Sequence, residues 1–284
     1  MKKRRDEAEV CTRQLHTPTN ILLLSLAVSD LLVGLVLMPV QIFNRTSCWF
    51  FGDFVCAMYN LISIIITSAS IGDIVLISVD RYVAICYPLH YTTKVTARRV
   101  KFCVCLCWLC SFTYSLLYVK DLPTQPGSYK YCYGACGLSP DNGSLLFDLF
   151  LNFIVPVTVI IALYLRIFAV AVSQARAMRS HITAVTLQHS VTPKAKKSEL
   201  KAARKLGVLV LVFLLCVCPL YIITWVDYNL TMASLQDFSV ILFLSNSCLN
   251  PVIYAFLYPW FRKAVKLIVT LQILQPGSSE TNML

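Results

Sequence analysis

Charge is what this 284-residue sequence has least of: Asp, Glu, Lys and Arg make up 14% of it, against 57% hydrophobic residues. Soluble domains carry roughly a quarter of their residues as charged groups, so a soluble globular fold is excluded. Strict apolar–polar alternation is also missing, which excludes a transmembrane β-barrel and leaves helices that satisfy their own backbones. The chain shows no internal repeat of the kind that many transporters carry. It lacks a paired catalytic aspartate motif, a Ser/His arrangement and a His-Glu zinc helix, so nothing points to intramembrane catalysis. The first twenty residues open with Lys2, Lys3, Arg4 and Arg5 and hold no apolar stretch, and so read as neither a signal peptide nor a span.

What is present is a series of long apolar runs. Crossing ~30 Å of hydrocarbon takes ~20 helical residues, and six runs qualify: 21–43, 54–79, 100–119, 145–170, 205–226 and 237–257, named spans A to F. The expected organisation is a cytoplasmic segment over 1–20, a helical bundle over 21–257, and an amphipathic helix with a disordered tail over 258–284. A net charge of +11 in a soluble protein would suggest nucleic acid. Here all basic residues except Arg45, Lys120 and Lys130 lie before span A, between B and C, between D and E, in the tail, or at adjoining span ends. The positive-inside rule places those segments in the cytoplasm. Three glycosylation sequons, at Asn44, Asn142 and Asn229, fall one in each loop assigned to the outside. Of the 13 cysteines, only Cys48, Cys56, Cys132 and Cys136 reach that oxidising side. Cys103, Cys105, Cys107 and Cys110 sit in an apolar helix and read as small packing residues rather than a metal cluster.

Proline is placed inside spans D, E and F, at Pro156, Pro219 and Pro251, and span A is expected to end near Pro39. Span C holds Trp108. The segment between D and E is expected to continue both helices into the cytoplasm. Asp80-Arg81-Tyr82 closes span B, Asn250-Pro251-Val252-Ile253-Tyr254 lies in span F, and Asp30 stands in the middle of span A. With Trp108, Pro156 and Pro219, these marks resemble the rhodopsin-type G protein-coupled receptors in kind and in order. The run Asn246-Ser247-Cys248-Leu249-Asn250-Pro251 through Tyr254, Tyr258, Trp260 and Phe261 resembles, more narrowly, the trace amine-associated receptor signature. That likeness implies an all-α membrane protein, a rhodopsin-like bundle. It also implies a plasma-membrane receptor for small amines, largely olfactory and coupled to a stimulatory heterotrimeric G protein. The run 14–20 looks like the family's first intracellular loop, so six of the usual seven transmembrane helices are expected, plus the short C-terminal helix. A truncated gene model or a pseudogene accounts for the missing helix more simply than a working six-helix receptor. A transporter or channel lined by intramembrane acids is the competing reading of the function.

The same resemblance assigns roles. Asp30 matches the family's sodium-site carboxylate, with Ser70, Asn246 and Asn250 where its partners stand. A carboxylate with neutral oxygen-bearing neighbours suits a hard cation, while a polar knot between helices is the alternative; no other metal or cofactor is implied. Asp80 and Arg81 form the inner switch, with Glu199, Tyr164 and Tyr254 as its partners and Pro156, Ile71 and Phe213 as the packing triad above it. Aminergic receptors hold the ligand ammonium with an aspartate 18 residues before the motif arginine, but here that position is Ser63. Asp148, eight residues before Pro156, stands where some trace amine receptors place their amine-binding acid. Asn152 lies one turn along the same face, and Ser63, Thr67 and Tyr221 complete the expected pocket. A solvated Asp148, or one bonded to Ser63 or Thr67, competes with that reading. Asp73 is expected to face Ser25 and the Trp108 indole as a structural acid, and Asp227 to be a surface acid. Cys56 resembles the family's anchor for the second outer loop, with Cys136 as its partner and Cys132 left as a free thiol. Val217 and Leu244 depart from the pattern, replacing a tryptophan and an aromatic.

Overall fold

Thr17 and Pro18 start the first helix: Pro18 takes a position where no backbone N–H is needed, and the Thr17 hydroxyl accepts from the Asn20 N–H at 3.3 Å. The computed structural model describes residues 17–120, 136, 142–184, 194–226, 233–257, 262, 265, 266, 269 and 270. Over these the chain is entirely helical apart from short connections. The helices are α1 (Pro18–Thr46) and α2 (Gly52–Cys86), α3 (Pro88–Lys94) and α4 (Ala97–Lys120), α5 (142–184), α6 (Lys194–Val226) and α7 (Ala233–Leu257). Spans A to F thus correspond to α1, α2, α4, α5, α6 and α7. Among the described residues, five of them are long and apolar enough to cross a bilayer; α7 is 25 residues long.

Two expectations are corrected. Span A does not end at Pro39, because the helix runs on to Thr46. Proline removes one backbone donor and crowds the preceding turn; the chain absorbs this by widening Val33–Leu37 into a π-helical turn. The same device appears at Leu149–Ile154, ahead of Pro156. The connection between spans B and C is not only a loop, since Pro88 nucleates the seven-residue helix α3. As expected, α5 and α6 extend past the apolar runs into the segment between them. Residues 1–16 and most of 258–284, including the expected amphipathic helix and tail, lie outside the described residues. Within the tail, Arg262, Val265, Lys266 and Val269 are helical.

Helix α2 is the centre of the bundle, packed against α1, α4, α5 and α6, while α7 packs on α6 and α1. The main core gathers Leu22 and Leu26 of α1, Ile71, Ile74 and Ile77 of α2, Ile160 of α5, and Leu209, Phe213 and Val217 of α6. Outward-facing positions are as apolar as the core: Leu24, Leu35, Phe54, Phe102 and Phe168 are more than 60% exposed. In water such a surface would drive aggregation, whereas in lipid it costs nothing. Only one narrow face of α4 is buried. Cys107 lies on it, its thiol against the Ala69 carbonyl, but Cys103, Cys105 and Cys110 are exposed and point away from the bundle, not into its packing.

Candidate functional site

Polar side chains inside the bundle collect at three levels. At the outer level, Asp148 sits on α5 immediately before the widened turn. Its Oδ1 accepts from the Tyr114 hydroxyl of α4 at 2.6 Å and from the Asn152 amide one turn on at 2.8 Å, and Tyr221 of α6 hydrogen-bonds to the same carboxylate. Aromatic rings enclose it. Tyr114 stacks on Phe147 at 5.7 Å and lies 5.8 Å from Tyr118, and Tyr221 stacks on Phe153 at 4.6 Å. Among the described residues the ion pairs are Arg45–Asp237 and Arg81–Asp80, so none of them neutralises Asp148. The Thr67 hydroxyl is turned onto its own helix, bonding the Ser63 carbonyl at 2.8 Å. Asn152, Tyr221 and Tyr114 therefore stand together at Asp148, and its hydrogen bonds among the described residues do not include Ser63 or Thr67.

At the middle level two buried acids occupy separate networks. Asp30 accepts from the Asn250 amide with both oxygens, at 2.9 and 3.1 Å, and from Ser247. The side-chain carbonyls of Asn246 and Asn250 are buried without a hydrogen-bond partner, and Ser70, Asn246 and Ser247 line a small adjoining cavity with Thr67 and Phe213. A carboxylate beside two orphaned amide oxygens and a serine is an oxygen set that fits a small hard cation. Asp73, fully buried, accepts from Ser25 at 2.7 Å, and Ser25 accepts from the Trp108 indole at 3.0 Å. This is the structural knot expected of it, tying α1, α2 and α4 together. Ile71 and Phe213 share the main core, and Pro156 is buried on α5.

At the inner level, Arg81 pairs with Asp80 at 2.5 Å, both of them buried. The pair has two further anchors. Thr19, in the first turn of α1, donates to Asp80 at 2.9 Å and accepts from Arg81, and Tyr91 of α3 donates to the other Asp80 oxygen at 2.8 Å. Burial, reinforced by the Asp80 charge, pushes the Tyr91 hydroxyl up to about 12, so it remains a donor throughout the physiological range. Tyr164 lies against Gly207 of α6. The side chains of Glu199 and Tyr254 lie outside the described residues, as do Asn229, Asp227 and Cys132. Neither Thr19 nor Tyr91 carries a sequence signal for this role, because the folding of α3 alone brings Tyr91 back to Asp80.

Residues 8–254 match the 7 transmembrane receptor (rhodopsin family). Trace amine-associated receptor 13c of Danio rerio is 37% identical over 285 residues, covering 95% of this chain and 82% of that receptor. Trace amine-associated receptor 7e of Mus musculus is 39% identical over 282 residues, covering 95% and 78%. This chain belongs to the trace amine-associated receptors. It is a multi-pass G protein-coupled receptor of the plasma membrane and not an enzyme, which removes the transporter reading. The receptor's outer loop is anchored as the family resemblance implied, by a disulfide between Cys56 at the start of α2 and Cys136, with Cα atoms 5.5 Å apart. Cys48 is also disulfide-bonded. At the positions departing from the family pattern, Val217 is buried in the main core and Leu244 in a second cluster with Val33, Leu37 and Ile66.

Proposed function

We propose that this receptor detects small amines and that the ligand ammonium pairs with Asp148. The observation that carries the reading is a carboxylate in a membrane helix with neutral donors only, Tyr114, Asn152 and Tyr221, in aromatic surroundings. An ionised acid in hydrocarbon is costly until a cation reaches it, and the faces of neighbouring rings add cation–π attraction for an ammonium. Ser63, at the usual aspartate position, leaves the pairing to α5. The names of the relatives, trace amine-associated receptors, agree with this chemistry.

In this reading the six long helices all cross the bilayer, and agonist contact at Asp148 shifts a two-state bundle towards G protein binding at Arg81. The partner is a stimulatory G protein. Asp30, Ser70, Asn246 and Asn250 would hold a sodium ion, whose charge would favour the resting state, and Glu199, Tyr164 and Tyr254 complete the inner switch, with Pro156, Ile71 and Phe213 relaying the shift. Asn142, exposed at the start of α5, and Asn229 are the glycan acceptors.

The test is a panel of mono- and diamines applied to cells expressing the receptor, with cyclic nucleotide as readout and surface level measured by antibody. Asp148→Asn, which keeps the shape and removes the charge, is expected to weaken potency by about thirty-fold or more. Tyr114→Phe, which deletes one hydrogen bond to the carboxylate but keeps its charge, should cost less than Asp148→Asn. Unchanged amine potency in Asp148→Asn would sink the assignment.

A further inference from the structure

Asn44, the acceptor residue of the first sequon, is half-buried in the last turn of α1 and turned inward. Its Nδ2 donates to the Cys136 carbonyl at 2.6 Å, and its Oδ1 accepts from the Cys136 N–H at 3.4 Å. Both backbone groups of one residue of the second outer loop are thus held by a single side-chain amide. The other two sequon residues are also engaged. Arg45 pairs with Asp237 of α7, and the Thr46 hydroxyl is bonded to the Ile42 carbonyl of its own helix at 2.9 Å.

We infer that Asn44 is the clamp that orients the peptide groups of Cys136 in the second outer loop and carries no glycan. Glycosylation attaches the sugar through Nδ2, the atom that here donates to Cys136, and a glycan on an inward-facing, half-buried amide would have to displace Cys136. The clamp complements the disulfide. A bond from Cys56 fixes where Cys136 sits, whereas the paired amide bonds fix the direction of its N–H and C=O. Cys136 is 5% exposed, and the Asn60 amide covers the two sulfurs at 3.4 and 3.6 Å. The loop residue is therefore held by α1 through Asn44 and by α2 through Cys56 and Asn60. This inference is independent of which ligand the receptor detects.

Two substitutions separate the two halves of the claim. Thr46→Ala destroys the sequon at an exposed position and leaves the clamp intact; Asn44→Ala removes both. Receptor from cell membranes is compared for its mobility shift on glycosidase treatment, and for the rate at which the Cys56–Cys136 bond is reduced by a phosphine, read by alkylation and peptide mass spectrometry. The expected result is a glycosidase shift in Thr46→Ala identical to that of the wild type, with wild-type reduction kinetics, and reduction about five-fold faster in Asn44→Ala. If Asn44→Ala fails to reach the membrane, Asn44→Asp keeps the acceptor for the Cys136 N–H and should show a smaller acceleration. A reduced glycosidase shift in Thr46→Ala, or wild-type reduction rates in the Asn44 variants, overturns the proposal.

Discussion

Asp80 receives hydrogen bonds from three side chains on three helices: Thr19, Arg81 and Tyr91. Its pairing with Arg81 was legible from adjacency in the sequence; the two hydroxyls were not, because they arrive from the start of α1 and from a helix that Pro88 creates. They hold the carboxylate in the orientation that keeps Arg81 turned inward. Hydrogen bonds to a charged group contribute about 1.5–3 kcal/mol each. Tyr91→Phe is therefore expected to raise signalling in the absence of ligand by about ten-fold or more per surface receptor, and Thr19→Val to do the same. Because the Tyr91 hydroxyl stays protonated well above pH 8, this basal difference should not change between pH 6 and 8. Basal cyclic nucleotide normalised to surface antibody binding checks both statements. Asp148 teaches the same lesson: Asn152 was predictable from helical spacing on one chain segment, while Tyr114 belongs to another helix and only packing reveals it.

Helix existence was readable from apolar length, and so were the extensions of α5 and α6; what prolines do inside them was not. Pro39 reads as a terminator in a sequence, yet a widened turn carries the helix past it, and that decision depends on neighbours rather than on propensity. Close approach between helices is likewise a tertiary property. Gly72 on α2 faces the Cys107 thiol of α4 so closely that an added Cβ would collide with it. Gly72→Ala should lower the melting temperature of purified receptor by a few degrees, as overpacked cores do, and Cys107→Ala should restore most of the loss by removing the opposing sulfur. Thermal unfolding of the two single variants and the double variant measures the coupling; additive losses would show that the contact is not the cause.

At the scale of the whole molecule, polar chemistry is divided between the two ends of an apolar bundle. Asp148 and the Cys56–Cys136 anchor stand at one end, and Asp80, Arg81 and Tyr91 at the other, with Ile71 and Phe213 in the core between them. The distribution of basic residues is what orients this arrangement in the reading proposed above, since it depends only on where charge can remain hydrated. How many helices close the bundle, and which faces meet, depend on contacts that no single run of residues encodes. The orientation underlies the whole account, because it places Asp148, the proposed partner of the amine, towards the outside and Arg81 towards the proposed G protein face. Its most direct test is labelling of intact cells with a membrane-impermeant thiol reagent, comparing Thr92→Cys in α3 with Asn142→Cys at the start of α5, each above the unsubstituted background. The account predicts labelling at 142, and at 92 only after the cells are permeabilised; labelling at 92 in intact cells would contradict it.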